Sequence, residues 1–197
     1  DRAMIDAYIG HLEKVSADTL VGISTCDVYE VPRGVDEDTD IAKTLDTLHP
    51  YGKHRFILEE FLRKHFPDHL IVRLPGLFGH GLKKNVIFDM MHDNQLDSVH
   101  SASTFQFYNL NYLWGDIERA RKAGITLLNI TTEPVSVAEV ARAGFGKEFT
   151  NIPSTPSVHY DLRSKHAELF GGANGYMYTK KQVLRDIKEF VISEQAI

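Results

Sequence analysis

An α/β fold with a parallel sheet is what the sequence predicts, and three observations carry it. Residues 19–25 (TLVGIST) and 69–79 (HLIVRLPGLFG) are short, nearly continuous apolar runs, the pattern of strands covered on both faces. Between them, residues 51–65 alternate apolar and charged side chains at helical period. Strand, helix and strand at this spacing imply a right-handed crossover between parallel neighbours. A third buried run, ITLLNIT at 125–131, repeats the strand pattern.

The elements follow in order. Residues 2–14 place Met4, Ile5, Tyr8, Ile9 and Leu12 at helical spacing, which predicts a helix with one buried face. The first strand closes in hydroxyls at Ser24 and Thr25. From Glu30 to Asp46 the chain holds Pro32, Gly34 and many acids, a surface loop with a turn of helix. Pro50 sits ahead of the central helix, where its missing N–H is harmless, and Pro67 ends that helix. The second strand runs into a Pro-Gly turn. Residues 83–93 form a helix around Val86, Ile87, Met90 and Met91. STFQFYNL, 103–110, alternates aromatics as a short strand does and leads into a helix over 112–123. After the third run Ser136 caps a further helix, and residues 179–193 are amphipathic, with Val183, Ile187, Phe190 and Val191 on the apolar side. No repeat or low-complexity linker interrupts this order.

Composition narrows the function. The 197 residues suit one domain, or one with a small appendage, and 43% hydrophobic with 25% charged residues is ordinary globular usage. A net charge of −5 leaves no basic footprint for nucleic acid. Cys26 is the only cysteine, so the chain can form neither an internal disulfide nor a thiolate metal cluster, and a cytoplasmic setting is expected. No apolar stretch approaches the roughly 18 to 20 residues of a membrane span, and the start has no signal-peptide core. The ten histidines include no His-Glu-x-x-His pattern, and Pro67 breaks any helical pairing of His65 with His69, so no metal site is expected.

The chemistry gathers at STCDVY (24–29) and HPYGKHR (49–55). In a parallel sheet, functional groups collect in the crevice at the carboxyl ends of strands. Thr25 stands at such an end and Tyr51 opens the next helix, so both hydroxyls can converge. A tyrosine has a pKa of about 10 and needs a nearby cation to act as acid or base near neutrality. Arg55, one helical turn on, is on the face that can supply it, whereas Lys53 points off that face.

STCDVY, YGKHRFILEEF and LIVRLPGLFGHGLKKN together resemble the extended short-chain dehydrogenase/reductase family, the NAD(P)-dependent epimerases, dehydratases and reductases of nucleotide sugars. FQFYNLNYLWGDI and LLNITTEPVSVAEVA extend the resemblance into the family's substrate-domain segments. It implies a partial doubly wound, Rossmann-like parallel sheet with a small α+β substrate-binding region. Residues 1–80 would form the C-terminal half of a dinucleotide-binding domain. Residues 81–197 would bind substrate, with the strand at 125–131 returning to the main sheet.

By the same resemblance Thr25 matches the catalytic Ser/Thr, Tyr51 the catalytic tyrosine and Arg55 the place of the lysine in Tyr-x-x-x-Lys. Ser24, Pro75, Gly76 and Leu77, with Tyr51 and Arg55, are implied to line the NAD or NADP cofactor; Asp27, Asn85, Gln106 and Arg163 are implied for the nucleotide-sugar pocket. A homodimer paired through helices like 51–65 is a further implication. Each residue also has an ordinary structural reading, as strand-end hydroxyl, turn or solvated polar group.

There are three departures from the family pattern. Arginine replaces lysine at 55, and it is planar, bulkier and never a neutral proton relay. Cys26 stands directly after Thr25, where the dehydrating members carry an acid, which places epimerisation or reduction ahead of dehydration. The glycine-rich phosphate turn is absent: it should lie farther upstream of Tyr51 than the fifty residues that precede it here. GHG at 79–81, GFG at 144–146 and GGANG at 171–175 do not join a first strand to a helix. The chain is therefore expected to correspond to the back half of such an enzyme. A non-catalytic relative that keeps the fold and the sugar pocket is the alternative.

Overall fold

The computed structural model describes residues 2–196. In chain order they form α1 (Arg2–Leu12), β1 (Leu20–Thr25), β2 (Arg33–Val35), α2 (Pro50–His65), β3 (His69–Leu74), β4 (Gly76–Phe78), α3 (Val86–His92), β5 (Thr104–Phe105), β6 (Phe107–Asn109), α4 (Leu113–Lys122), β7 (Leu127–Asn129), β8 (Val135–Ser136), α5 (Val137–Phe145), β9 (Asp161–Leu162) and α6 (Lys180–Gln195).

The main sheet is parallel with strand order β1-β3-β7. Leu20 faces His69 at one end of the first pairing and Thr25 faces Leu74 at the other, while Ile71–Arg73 pair with Leu127–Asn129. β3 is the central strand, which accounts for its apolar run. Leu70, Val72 and Leu74 pack on one face with Ile117 and Ala120 of α4, and Ile71 packs on the other with Leu58 and Leu62 of α2. β7 pairs with β3 in the main sheet.

Four sequence expectations are corrected. β1 has a strand partner on one side among the described residues and is only partly covered by them: Ser24 and Thr25 are buried, and Ile23 is 45% exposed. α1 forms but buries no residue, because it meets the core beside α2 through Ile9 and Leu12 while Met4 and Tyr8 stay exposed. The run at 69–79 divides at Pro75, which lacks a ladder donor, and β4 leaves the main sheet to pair with β6. The segment 103–110 divides in the same way at Gln106, with β5 pairing antiparallel to β8.

The remaining pieces support the cleft from below. β2 pairs with β9, tying the loop after β1 to the later chain. α3, α5 and α6 bury Ile87, Met90, Val140, Val183, Ile187 and Phe190 in a second core. Ser136 caps α5 as the sequence indicates: its Oγ accepts from Glu139 N at 3.1 Å and the Glu139 carboxylate accepts from Ser136 N at 2.7 Å.

Candidate active site

Thr25 ends β1 and caps the short 3-10 turn that follows. Its Oγ1 accepts from Asp27 N at 3.2 Å and donates to Asp27 Oδ2 at 3.1 Å, fixing both side chains at the strand's carboxyl end. α2 begins nearby, where His49 Nδ1 accepts from Tyr51 N at 3.3 Å and Pro50 takes the first helical position. Gly52 makes the approach possible: a Cβ there would lie 1.8 Å from the Asp27 carbonyl oxygen. The first turn of α2 therefore rests on the backbone after Thr25, and Tyr51 reaches the same opening.

Tyr51 is 46% exposed, and the Arg55 guanidinium carbon lies 5.4 Å from its ring centroid. Arg55 has no carboxylate partner among the described residues. Lys53 instead points toward Asp46, at 3.7 Å, in agreement with its position off the Tyr51 face.

The far wall comes from β4 and the turn before α3. Pro75, Gly76 and Leu77 line a cleft of about 1440 Å³ together with Thr25, Tyr51 and Arg55. Asn85 sits at its edge with φ 119° and ψ 176°, a backbone region almost restricted to glycine that costs about 1–3 kcal/mol. Its side chain holds it there. Oδ1 accepts from Ile87 N at 2.9 Å and from Phe88 N at 3.2 Å, while Nδ2 donates to Leu77 O at 2.8 Å and keeps one hydrogen unused.

A smaller chamber of about 290 Å³ opens beside the cleft and shares Thr25, Asp27, Pro75, Gly76, Asn85 and Tyr160 with it. Its remaining walls are Cys26, Val86, Phe105, Gln106 and Phe107. Burial first, and then the Asp27 charge, push the Cys26 thiol up to about 12, so it stays protonated. Burial likewise raises Tyr160, with Asp27 adding to the effect.

Behind the cleft lies a buried polar chain that the sequence reading missed. Ser24 Oγ donates to Glu59 Oε1 at 2.5 Å, Arg73 Nη2 meets Glu59 Oε2 at 2.6 Å, and Arg73 Nη1 donates to Tyr29 Oη at 2.8 Å. Tyr29 in turn donates to Asp36 O and accepts from Asn129 Nδ2. Arg73 is 1% exposed. Burial opposes its charge, but the hydrogen bonds and charge of Glu59 outweigh burial and raise it further. An arginine inside the apolar run HLIVRL was the available signal, since a charge in a central strand requires a buried partner.

The structure thus brings Thr25, Tyr51, Arg55, Ser24, Asp27, Pro75, Gly76, Leu77 and Asn85 to one opening. Ser24 arrives with its proton committed to Glu59. Arg163 needs correction as a substrate contact, whereas Gln106 lines the side chamber with its polar atoms already engaged. Gln106 is 2% exposed, with both amide hydrogens given to Thr132 O and Leu162 O and its oxygen accepting from Leu162 N, so it clamps backbone. Arg163 lies off the cleft: it forks onto Asp161, donates to Asn174 O and stacks 4.1 Å from the Tyr176 ring centroid. No group of metal-binding side chains occurs among the described residues.

No family model and no curated protein matches the sequence. Solved structures do. A UDP-glucuronic acid 4-epimerase from Bacillus cereus, in complex with UDP-glucuronic acid and NAD, superposes with a TM-score of 0.66 at 18% identity over 100% of this chain and 68% of its own. The fold is that of the nucleotide-sugar epimerases and reductases. A UDP-galactose 4-epimerase gives a TM-score of 0.64 at 15% identity, over 96% of this chain and 68% of its own. A dTDP-4-dehydrorhamnose reductase from Clostridium acetobutylicum gives 0.63 at 21%, over 90% of this chain and 66% of its own. The chain thus spans about two thirds of the length of these enzymes and shares the partial Rossmann-like architecture that its motifs imply.

Proposed function

We propose that this chain carries the catalytic groups of an NAD(P)-dependent epimerase or reductase acting on a nucleotide sugar. The observation that carries this reading is the meeting of Thr25, Tyr51 and Arg55 in one cleft whose opposite wall is Pro75-Gly76-Leu77. The complexes of similar fold with NAD and UDP-glucuronic acid, or with NADP, support it.

In this reading the Tyr51 hydroxyl exchanges a proton with a sugar hydroxyl or keto oxygen, which the Thr25 hydroxyl holds by a hydrogen bond. Arg55, beside the Tyr51 ring and free of a carboxylate, favours the phenolate when the proton has left. Cys26 is a protonated thiol and supplies no acid for dehydration, so epimerisation or reduction is preferred.

The cofactor would supply hydride transfer to or from its nicotinamide. The residues present fit that end of it. Arg55 is an uncommitted cation at the cleft, and Pro75, Gly76 and Leu77 form the facing wall. The described residues contain no glycine-rich turn leading from a strand into a helix to seat its diphosphate. Two copies pairing through α2, in a cytoplasmic setting, complete the proposal; no helix of the described residues is long and apolar enough to cross a membrane.

Arginine at 55, where the resemblance has lysine, favours one other reading, a non-catalytic relative that retains the sugar pocket. Titrating the purified protein with NADH and NADPH by fluorescence, then adding UDP-galactose with NAD or dTDP-4-dehydrorhamnose with NADPH, separates the two. Saturable cofactor binding followed by turnover is expected. Binding of the sugar nucleotide with no cofactor binding would leave the non-catalytic relative standing.

A further inference from the structure

The two parts of the opening differ in charge. The large cleft carries three cations, Arg55, Lys83 and Lys84, against two carboxylates, Asp27 and Glu30, on its walls, and neither lysine has an ion-pair partner among the described residues. The side chamber has no lysine, arginine or histidine on its walls, and its one charged wall residue is Asp27. Its remaining polar capacity is small. Gln106 is spent on backbone, and Asn85 retains a single amide hydrogen. The Tyr160 hydroxyl has no hydrogen-bond partner among the described residues and faces the chamber with Thr25. The rest of the surface is Pro75, Val86, Phe105, Phe107 and the neutral Cys26 thiol.

We infer that the side chamber selects an uncharged sugar: one bearing a methyl or hydroxymethyl group, and not a carboxylate, on the carbon that enters it. The inference rests on the nucleotide-sugar reading and deepens it. A carboxylate in the chamber would lose water without gaining a cation and would face the like charge of Asp27. A methyl group would meet the aromatic and valine wall, and a hydroxymethyl group could share Tyr160 or Asp27. The nucleotide end, which is anionic, belongs in the large cleft with Lys83 and Lys84. The chain would then differ in substrate from the similar epimerase bound to UDP-glucuronic acid.

Competition titrations followed by saturation-transfer NMR test this on the protein with NAD present. The probes are UDP, dTDP and two matched pairs: UDP-glucose with UDP-glucuronic acid, and dTDP-glucose with dTDP-glucuronic acid. The neutral member of a binding pair is expected to be tighter by about a hundredfold. Phe105→Lys, which places a cation in the chamber wall, should narrow that ratio by about tenfold or more. Equal or tighter binding of a glucuronate by the parent protein, or an unchanged ratio in a folded Phe105→Lys, overturns the inference while leaving the nucleotide-sugar reading intact. If neither nucleotide and none of the four sugars binds, the reading itself falls and the inference with it.

Discussion

Two tyrosine neighbourhoods in this protein are built from the same side chain to opposite ends. Tyr51 stands half exposed on the cleft, its ring beside Arg55 and its hydroxyl unbonded among the described residues. Tyr108 is 1% exposed in the core, and its hydroxyl donates to Asp116 Oδ2 at 2.7 Å, where Tyr178 also donates at 2.8 Å. Burial and then the Asp116 carboxylate push Tyr108 and Tyr178 far above the ordinary phenol. Burial also raises Asp116 itself, against the hydrogen bonds that it accepts. A tyrosine shut beside an anion keeps its proton, whereas Tyr51 stands half exposed with a cation beside its ring.

Tyr29 refines the contrast. Arg73 lies 5.1 Å from its ring centroid and bonds its hydroxyl, yet burial outweighs that cation and raises Tyr29. At Tyr29 burial therefore wins over a neighbouring cation, and Tyr51 is the one of these three with both a cation and solvent beside it.

The sharpest way to break this account is to cut the support behind the cleft. Arg73→Met leaves Glu59 buried without its partner, and a loss of about 3–5 kcal/mol is expected in urea unfolding. A loss below about 1 kcal/mol would mean that Ser24 and Tyr29 are held some other way. Gly52→Ala comes next. Its Cβ would clash with the Asp27 carbonyl, so α2 must move off β1, at or above the upper end of the roughly 1–3 kcal/mol that overpacking costs. Turnover should fall with it, since Tyr51 moves too.

Tyr108→Phe should cost about 1–3 kcal/mol by removing one of the two donors to Asp116, while kcat stays within about twofold of the parent. A large fall in kcat would show that the core cluster is coupled to the chemistry.

The smallest effects separate two carboxylates by the sign of their pH dependence. Burial raises Asp116 in the fold, so its contribution is full below the unfolded pKa near 3.8 and is lost as pH rises through the folded value. For Glu139, burial is outweighed by the hydrogen bonds of Ser136 and Lys180, and its pKa is lowered. Its contribution is present above the unfolded value near 4.5 and lost as pH falls through the folded one. Glu139→Gln should cost about 1 kcal/mol at pH 7 and little at strongly acid pH, whereas the stability of Asp116→Asn relative to the parent should rise with pH. Parallel unfolding curves across pH for either variant would contradict this.

Much of the fold was legible because period and punctuation are local. The strand-helix-strand crossover, the strand at 127–129 and the Ser136 cap follow from apolar runs and capping residues, while the pairing of 127–129 with the main sheet was an implication of the resemblance. What was not legible depends on contacts between distant segments. Nothing local says that Pro75 sends β4 to a different partner, or that Arg163 turns to Asp161 rather than the cleft. At the site, the types and spacing of Thr25, Tyr51 and Arg55 could be read. The strained backbone of Asn85 and the Glu59–Arg73 pair behind Ser24 could not, because each is set by where the chain returns.

The most direct test of the central claim is a single-turnover measurement of the change in NAD(P)H fluorescence when saturating nucleotide sugar meets the protein, in the parent and in Tyr51→Phe. The account predicts that Tyr51→Phe, saturated with cofactor, transfers hydride about 10²–10⁴-fold more slowly. Equal rates in the two proteins would show that Tyr51 moves no proton in the reaction and would remove the site from this cleft residue.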